Sequence, residues 1–322
     1  MFLVRNRLPS WSVKLVLLLV TVTSIIFIID LDKLPRISEY SQEYLAIQSG
    51  YSSELSNDLK HLLTSVEKKE KYFLLIAIPS MPVHLPQRAA IRATWRNVSR
   101  WSALRQEDEH FKRIKVMFLF AKTKFGEMSD EFQQELRNND DMYIIDGLQE
   151  GRLVLKYKVL WALTQSLSFD YDYFIKTDDD IFVNLPLMTM SLMTSPRQRF
   201  YTGSCMHAYG GFGGYPHWRY CSGGGYVLSR DVVMEIQKLP EQVHQVKFRP
   251  EDAYTGWLIN RLNTLTDFKV KVFTQGLLKV GPYKCGPFTH TWFYHHVTSS
   301  KMESFFQNID QNVYVECPDS NS

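Results

Sequence analysis

The sequence predicts an α/β domain with a sheet of mostly parallel strands. From residue 72 onward, strand-length apolar runs alternate with segments of helical period. One run, residues 171–177, ends in three consecutive aspartates, Asp178, Asp179 and Asp180, and a second apolar run, 181–183, follows at once. Open α/β sheets gather ligands at the carboxyl ends of their strands, which is where this triplet falls.

The elements follow in order. Residues 72–78 read as a strand stopped by Pro79, 87–95 as a short helix, and 114–121 and 142–146 as strands. Leu153, Tyr157, Leu160, Thr164 and Leu167 mark one face of a helix, and the strand before the aspartates comes next. Beyond it the pattern loosens into Gly-rich loops, 210–214 and 223–225, around an aromatic stretch at 215–220. Pro250 opens a helix with Tyr254, Trp257, Leu258, Leu262 and Leu265 on one face.

The chain has 322 residues, 45% of them hydrophobic, enough for one large core or a domain of about 250 residues with appendages. Its 37 basic and 34 acidic residues form no basic block, which argues against a nucleic-acid partner. Arg5, Arg7 and Lys14 precede a charge-poor run, 15–29, and Asp30 and Asp32 follow it. That run reaches the low end of the roughly 17–25 residues a span needs once residues 11–13 are counted and Lys14 snorkels. A cleaved signal peptide is the rival reading, but no small-x-small site follows the run. Basic residues ahead of the span put the N-terminus in the cytosol, and a short span suits the early secretory pathway. The expected order is a cytoplasmic tail (1–12), a signal anchor (13–29), a lumenal stem (30–71) and a lumenal body (72–322). Cys205, Cys221, Cys285 and Cys317 suggest two disulfides, with three connectivities open, and Asn97-Val98-Ser99 is an N-glycosylation sequon.

Three adjacent carboxylates repel one another, and a bound hard cation is the natural remedy. In extended backbone Asp178 and Asp180 face one site and Asp179 another; the bland alternative is an acidic turn. Arg88 and Arg92, four apart on a helix, suit a clamp for a diphosphate, or else are solvated surface arginines. Trp218, Gly224 and Gly225 combine a flat aromatic face with close backbone approach and are candidate acceptor-binding residues, against a plain turn with core aromatics. Glu251 and Asp252 sit at the positive end of a helix, as an acceptor-binding group and a base or simply as caps. His290, His295 and His296 lie in an aromatic segment; one of them joining a carboxylate-bound Mn²⁺ competes with a core histidine.

In order, the chain carries Arg88-x-x-Ile91-Arg92-x-Thr94-Trp95, Phe118-Leu119-Phe120-Ala121 and Phe174-Ile175-Lys176-Thr177-Asp178-Asp179-Asp180-Ile181-Phe182-Val183-Asn184. Tyr215-Pro216, then Tyr220-Cys221-Ser222-Gly223-Gly224-Gly225-Tyr226-Val227-Leu228-Ser229, and Glu251-Asp252-Ala253-Tyr254-Thr255-Gly256 complete the series. Over residues 72–306 this resembles the β-1,3-galactosyltransferase and β-1,3-N-acetylglucosaminyltransferase family of Golgi type II membrane enzymes. The resemblance implies a GT-A fold, a UDP-sugar donor, a glycan acceptor on a glycoprotein or glycolipid, and a Golgi-membrane location with the catalytic domain in the lumen. It makes Asp180 the direct Mn²⁺ ligand, Asp178 and Asp179 positioning groups for metal and donor ribose, and Asp252 the base. His295, by its distance ahead of Met302, matches the family's C-terminal histidine, with His296 the fallback. The family's Asp-x-Tyr-x-Asn-Leu-Thr-x-Lys segment is replaced by Glu150-Gly151-Arg152-Leu153-Val154-Leu155-Lys156, in which the leucines and Lys156 match, and Ala253 replaces a valine.

The expected function is inverting β-1,3 transfer of galactose from UDP-galactose, with N-acetylglucosamine as the alternative donor sugar. Two readings from other classes are a catalytically silent carbohydrate-binding protein on the same fold and a tethered structural protein whose aspartates bind Ca²⁺.

Overall fold

The computed structural model describes residues 70–102, 113–122, 128–151, 154–208, 218–244, 250–274, 277–280 and 291–311. The expected tail, anchor and stem up to residue 69 lie outside the described residues, as do His290, Cys285 and Cys317. Among the described residues no helix is long and apolar enough to cross a membrane.

The first half of the body is a parallel sheet. Strands β1 (Lys71–Pro79), β2 (Ile114–Lys122), β3 (Met142–Gln149) and β4 (Asp170–Thr177) pair in parallel, with β1 between β2 and β4. Their continuous apolar runs follow from burial on both faces. Along β2, Val116, Phe118 and Phe120 enter one core, while Met117 and Leu119 enter the other. The connections are helical: α1 (Leu85–Ala93) with Pro86 in its first turn, α2 (Asp130–Asn138) and α3 (Leu155–Ser166). The Ser129 hydroxyl caps α2 by accepting from Phe132 N.

The buried stripe of α3 is not the expected face. Tyr157 is 50% exposed and Thr164 is exposed, whereas Lys156, Val159, Ala162, Leu163 and Ser166 are buried. Two lysines account for the shift, because their methylene stems bury while their ammonium groups find partners. Lys158 reaches Glu150 and Ser80 O, and Lys156 lies over the rings of Tyr157 and Tyr254.

The second half departs from a purely parallel sheet. β6 (Phe200–Ala208) and β7 (Trp218–Ser229) are antiparallel, β7 is antiparallel to β4, and β8 (Lys271–Thr274) lies parallel to β6. The order is β3-β2-β1-β4-β7-β6-β8. An antiparallel return needs no crossover helix. Cys205 and Cys221, cross-strand partners on β6 and β7, form a disulfide; closing a loop of this size is worth about 3 kcal/mol in the chain-entropy account. Helices α4 (Leu185–Met193), α5 (Arg230–Gln237), α6 (Glu241–His244), α7 (Glu251–Leu265) and α8 (Ser299–Asp310) complete the described body.

A smaller sheet, in the order β5-β10-β9, is made of β5 (Ile181–Val183), β10 (Thr291–His295) and β9 (Leu277–Val280). β10 runs antiparallel to β5 with His295 opposite Ile181, and Val297 N donates to Asp180 O at 2.9 Å. The C-terminal histidines are thereby brought to the acidic triplet across more than a hundred residues of chain.

Candidate functional site

Strand order reverses between β1 and β4, so the carboxyl ends of these two neighbours form the topological switch point of the sheet. Ser80 follows β1 and the three aspartates follow β4. Backbone beyond Thr177 does not stay extended: Ile181 N donates to Asp178 O at 3.3 Å, closing a turn. The period-2 expectation that Asp178 and Asp180 share one site fails for that reason. The turn fans the three carboxylates toward three sets of partners.

Asp180 faces the histidines. Its Oδ2 lies 3.4 Å from His295 Nε2 and 3.2 Å from His296 Nδ1. Among the described residues, Asp180, His295 and His296 form a group whose candidate ligand atoms lie within 4.8 Å of one another; Asp178 is not in it. Adjacent residues of a strand point to opposite faces, yet these two imidazoles stack with centroids 3.8 Å apart. His296 permits this by leaving the strand with φ of 60°, a left-handed conformation uncommon outside glycine. Burial would raise the Asp180 carboxyl, but the hydrogen bonds and charge of His295 and His296 hold it below the usual carboxylate range. The Asp180 hydrogen bond raises His295 in turn.

Asp178 faces a buried lysine. Lys176 Nζ donates to Asp178 Oδ1 at 2.7 Å and to Gly223 O at 2.5 Å, and lies 3.3 Å from Glu251 Oε2. Burial opposes its charge, but the carboxylates of Asp178 and Glu251 hold it above the ordinary lysine value. Glu251 Oε1 accepts from Tyr226 at 2.6 Å and Thr255 at 3.1 Å, and burial pushes its carboxyl up. Asp252, at the start of α7, remains half-buried: Oδ2 accepts from Gly223 N at 2.9 Å and Oδ1 from Ala253 N at 2.7 Å.

Asp179 faces α1. Its Oδ2 accepts from Ser80 Oγ at 2.7 Å and meets His84 Nδ1 at 2.8 Å. It lines a cleft of about 280 Å³ together with Ser80, His84, Glu150, Gly151, Val154, Leu155 and Lys158. Burial pulls the Lys158 ammonium below the ordinary lysine value against the pull of Glu150.

Several expected site residues stand elsewhere. Arg88 is fully buried and donates to Glu135 Oε1 at 2.9 Å, to Ser80 Oγ at 2.9 Å and to Met81 O at 2.6 Å. Arg92 is held by Glu135 and bidentately by Asp141. The pair is therefore no open diphosphate clamp, because carboxylates of the fold already occupy both forks. Trp218 is buried, donates from Nε1 to Ala253 O at 3.0 Å and meets Trp257 edge-on, so it presents no free face to a sugar. Gly224 and Gly225 are buried within β7 rather than in a loop. A Cβ on Gly225 would collide with the ring of Phe293, a packing reason for the glycine. Glu251 is 3% exposed and so does not face an acceptor. Asn97 lies half-buried in the turn before a short 3₁₀ helix (Val98–Arg100), its Oδ1 accepting from Ser99 Oγ.

The Galactosyltransferase family model matches residues 86–213. Over that span the chain resembles the galactosyltransferase family, and its relatives are distant β-1,3-galactosyltransferases. It is 29% identical over 208 residues to β-1,3-galactosyltransferase 5 of Pan paniscus, covering 59% of this chain and 65% of that protein, just under two thirds. To β-1,3-galactosyltransferase 1 of Homo sapiens it is 25% identical over 287 residues, covering 81% of this chain and 82% of the relative. Among solved structures, galactosyltransferase LgtC with donor and acceptor sugar analogues overlaps with a TM-score of 0.41 at 13% identity, covering 76% of this chain and 98% of that one. Mouse xyloside xylosyltransferase 1 gives 0.36 at 11% identity, covering 70% and 97%. These structural overlaps are too loose to carry functional weight.

The galactosyltransferase resemblance gains a register from the fold. The family's Asp-x-Tyr-x-Asn-Leu-Thr-x-Lys segment has its acid and lysine eight residues apart, and Glu150 and Lys158 have the same spacing. Lys158 Nζ and Glu150 Oε1 are 2.5 Å apart in the cleft, whereas Lys156, the expected match, lies over two tyrosine rings. Sequence reading missed Lys158, Glu150, His84 and Lys176. The spacing of Glu150 and Lys158 was a signal for two of them, and Lys176 stood inside the motif that ends in the aspartates.

Proposed function

We propose that this chain is an inverting β-1,3-glycosyltransferase of GT-A type. It moves galactose from UDP-galactose to the 3-hydroxyl of an acceptor sugar on a glycoprotein or glycolipid, in the Golgi lumen and tethered by its N-terminal segment. The observation that carries the proposal is the half-buried Asp252 carboxylate at the start of α7, tied through Gly223 and Lys176 to the acidic turn. The β-1,3-galactosyltransferases among its relatives support galactose as the donor sugar. The Cys205–Cys221 disulfide supports an oxidising compartment.

One carboxylate and two imidazoles, from Asp180, His295 and His296, suit a divalent transition cation such as Mn²⁺. Bound there, the cation supplies positive charge against the diphosphate of the donor. In this reading Asp179, steadied by Ser80 and His84, accepts a ribose hydroxyl on the wall of the cleft. Arg88 acts at one remove, by fixing Ser80. Two backbone N–H groups, of Gly223 and Ala253, orient the Asp252 carboxylate, and its remaining lone pairs face the acceptor. Asp252 takes the proton of the 3-hydroxyl as that oxygen bonds to the anomeric carbon, and the bond to the UDP oxygen breaks on the opposite face. An α-linked donor thus becomes a β-1,3 product, and Asp252 returns its proton to solvent.

Incubation of the purified chain with UDP-galactose, UDP-N-acetylglucosamine and a panel of acceptor glycans, with linkage analysis of products, tests this. The expected product is β-1,3-linked galactose, lost on chelation and restored by Mn²⁺. Transfer of N-acetylglucosamine would reassign the donor. Donor binding with neither transfer nor hydrolysis across the panel would replace the enzyme reading with a carbohydrate-binding one.

A further inference from the structure

Lys176 has no exposed side-chain surface and lies on β4 two residues ahead of the acidic turn. A buried ammonium needs acceptors and counter-charge: it donates to Asp178 Oδ1 and Gly223 O, and Glu251 Oε2 lies 3.3 Å away as an ion-pair partner. Each partner belongs to a different part of the site. Asp178 opens the turn that carries Asp179 and Asp180. Gly223 uses its carbonyl for Lys176 and its N–H for Asp252, so one residue of β7 joins the lysine to the candidate base. Glu251 precedes Asp252 on α7 and is otherwise fixed by Tyr226 and Thr255. Its Oε2 accepts no hydrogen bond among the described residues, so the Lys176 charge is what balances it.

We infer that Lys176 is the positioning residue of the site, setting the Asp252 carboxylate against the acidic turn through Gly223, with Glu251 as its buried counter-charge. This inference rests on the reading of Asp252 as the base. The strand pairing gives it leverage, because Lys176 and Thr177 lie opposite Tyr226 and Gly225, and Thr177 Oγ1 donates to Gly224 O at 2.9 Å. The β7 segment ahead of Asp252 is thus gripped at two successive carbonyls from β4. Removal of the ammonium frees Gly223, and a shift of about 1 Å in a reacting group can lower turnover about a hundredfold.

The test compares Glu251→Gln with the double variant Lys176→Met/Glu251→Gln. The double variant removes the buried charge pair together with side chains of similar length, which buried sites tolerate far better than loss of one partner. The expected result is a double variant that unfolds near the temperature of Glu251→Gln and binds UDP with similar affinity. Its kcat for transfer should be lower by about a hundredfold. Turnover equal to that of Glu251→Gln overturns the inference, and so does a double variant that fails to fold, since Lys176 is then a structural pin. Asp252→Asn belongs in the same series. Turnover surviving in Asp252→Asn removes the base reading and the inference with it. A normal Asp252→Asn defect beside a fully active double variant removes the inference alone.

Discussion

Under α1, three arginines share two carboxylates: Arg88 and Arg92 hold Glu135, and Arg92 and Arg96 hold Asp141. At the end of β4 the balance is reversed, with Lys176 serving Asp178 and Glu251 directly and Asp252 through Gly223. In the first cluster both carboxylates are held by cations of the fold, and the network ties α1 to α2 and to the start of β3. In the second, acids outnumber the cation, and in the proposed reading the lone pairs left on Asp252 are those that meet an acceptor hydroxyl. Excess acceptor capacity, rather than charge as such, is what distinguishes the proposed site from the brace.

Four results would break or sharpen that comparison. Arg88→Met leaves Glu135 buried without its inner partner and should lower stability by about 3–5 kcal/mol in denaturant unfolding. Unchanged stability with a raised donor KM would make Arg88 a donor ligand and dissolve the contrast. Asp252→Asn should lower turnover about a hundredfold or more, roughly 2.7 kcal/mol of barrier, while changing stability by at most about 1 kcal/mol, because asparagine also caps helices. An active Asp252→Asn beside a dead Glu251→Gln would swap the two roles. Asp180→Asn should reduce Mn²⁺-dependent turnover about a hundredfold. His296→Ala should raise the Mn²⁺ needed for half-maximal rate by at least about tenfold, the lower end of what even outer-shell groups contribute. A His296→Ala variant with the wild-type Mn²⁺ requirement would leave Asp180 and His295 as the relevant pair.

The smallest expected effect is on pH dependence. Burial would raise the Glu135 carboxyl, but hydrogen bonds and charge from Arg88 and Arg92 hold it below its ordinary value of 4.5. A carboxyl depressed by folding adds stability that is full above the unfolded value and lost as pH falls through the folded one. Stability of the purified chain should therefore decline from about pH 5 downward, and Glu135→Gln should flatten that limb. Equal slopes in the two proteins would show that other groups dominate acid unfolding.

Much of the frame was legible from local pattern. The runs that became β1, β2 and β4 are apolar on both faces because both faces are covered, and a run of that kind is visible in one dimension. Pro250 sits at a helix start for reasons that need no tertiary contact. The α3 stripe was misread because a hydropathy pattern scores lysine as polar, while Lys156 and Lys158 bury their stems.

By itself the sequence determined the apolar strands of the first half, the acidic end of β4 and the motifs that resemble the galactosyltransferase family, all carried by residues contiguous in the chain. Only the tertiary structure decided where the three aspartates point, because their directions follow period 2 only in extended backbone and the chain turns at Asp178. It also decided that His296 joins His295, since a left-handed residue after β10 turns the second ring back beside the first. The partners of Arg88, Arg92 and Lys176 were set there too. Apart from Asp178, two residues along from Lys176, their counter-charges lie more than forty residues away, and a buried charge takes whichever partner packing delivers.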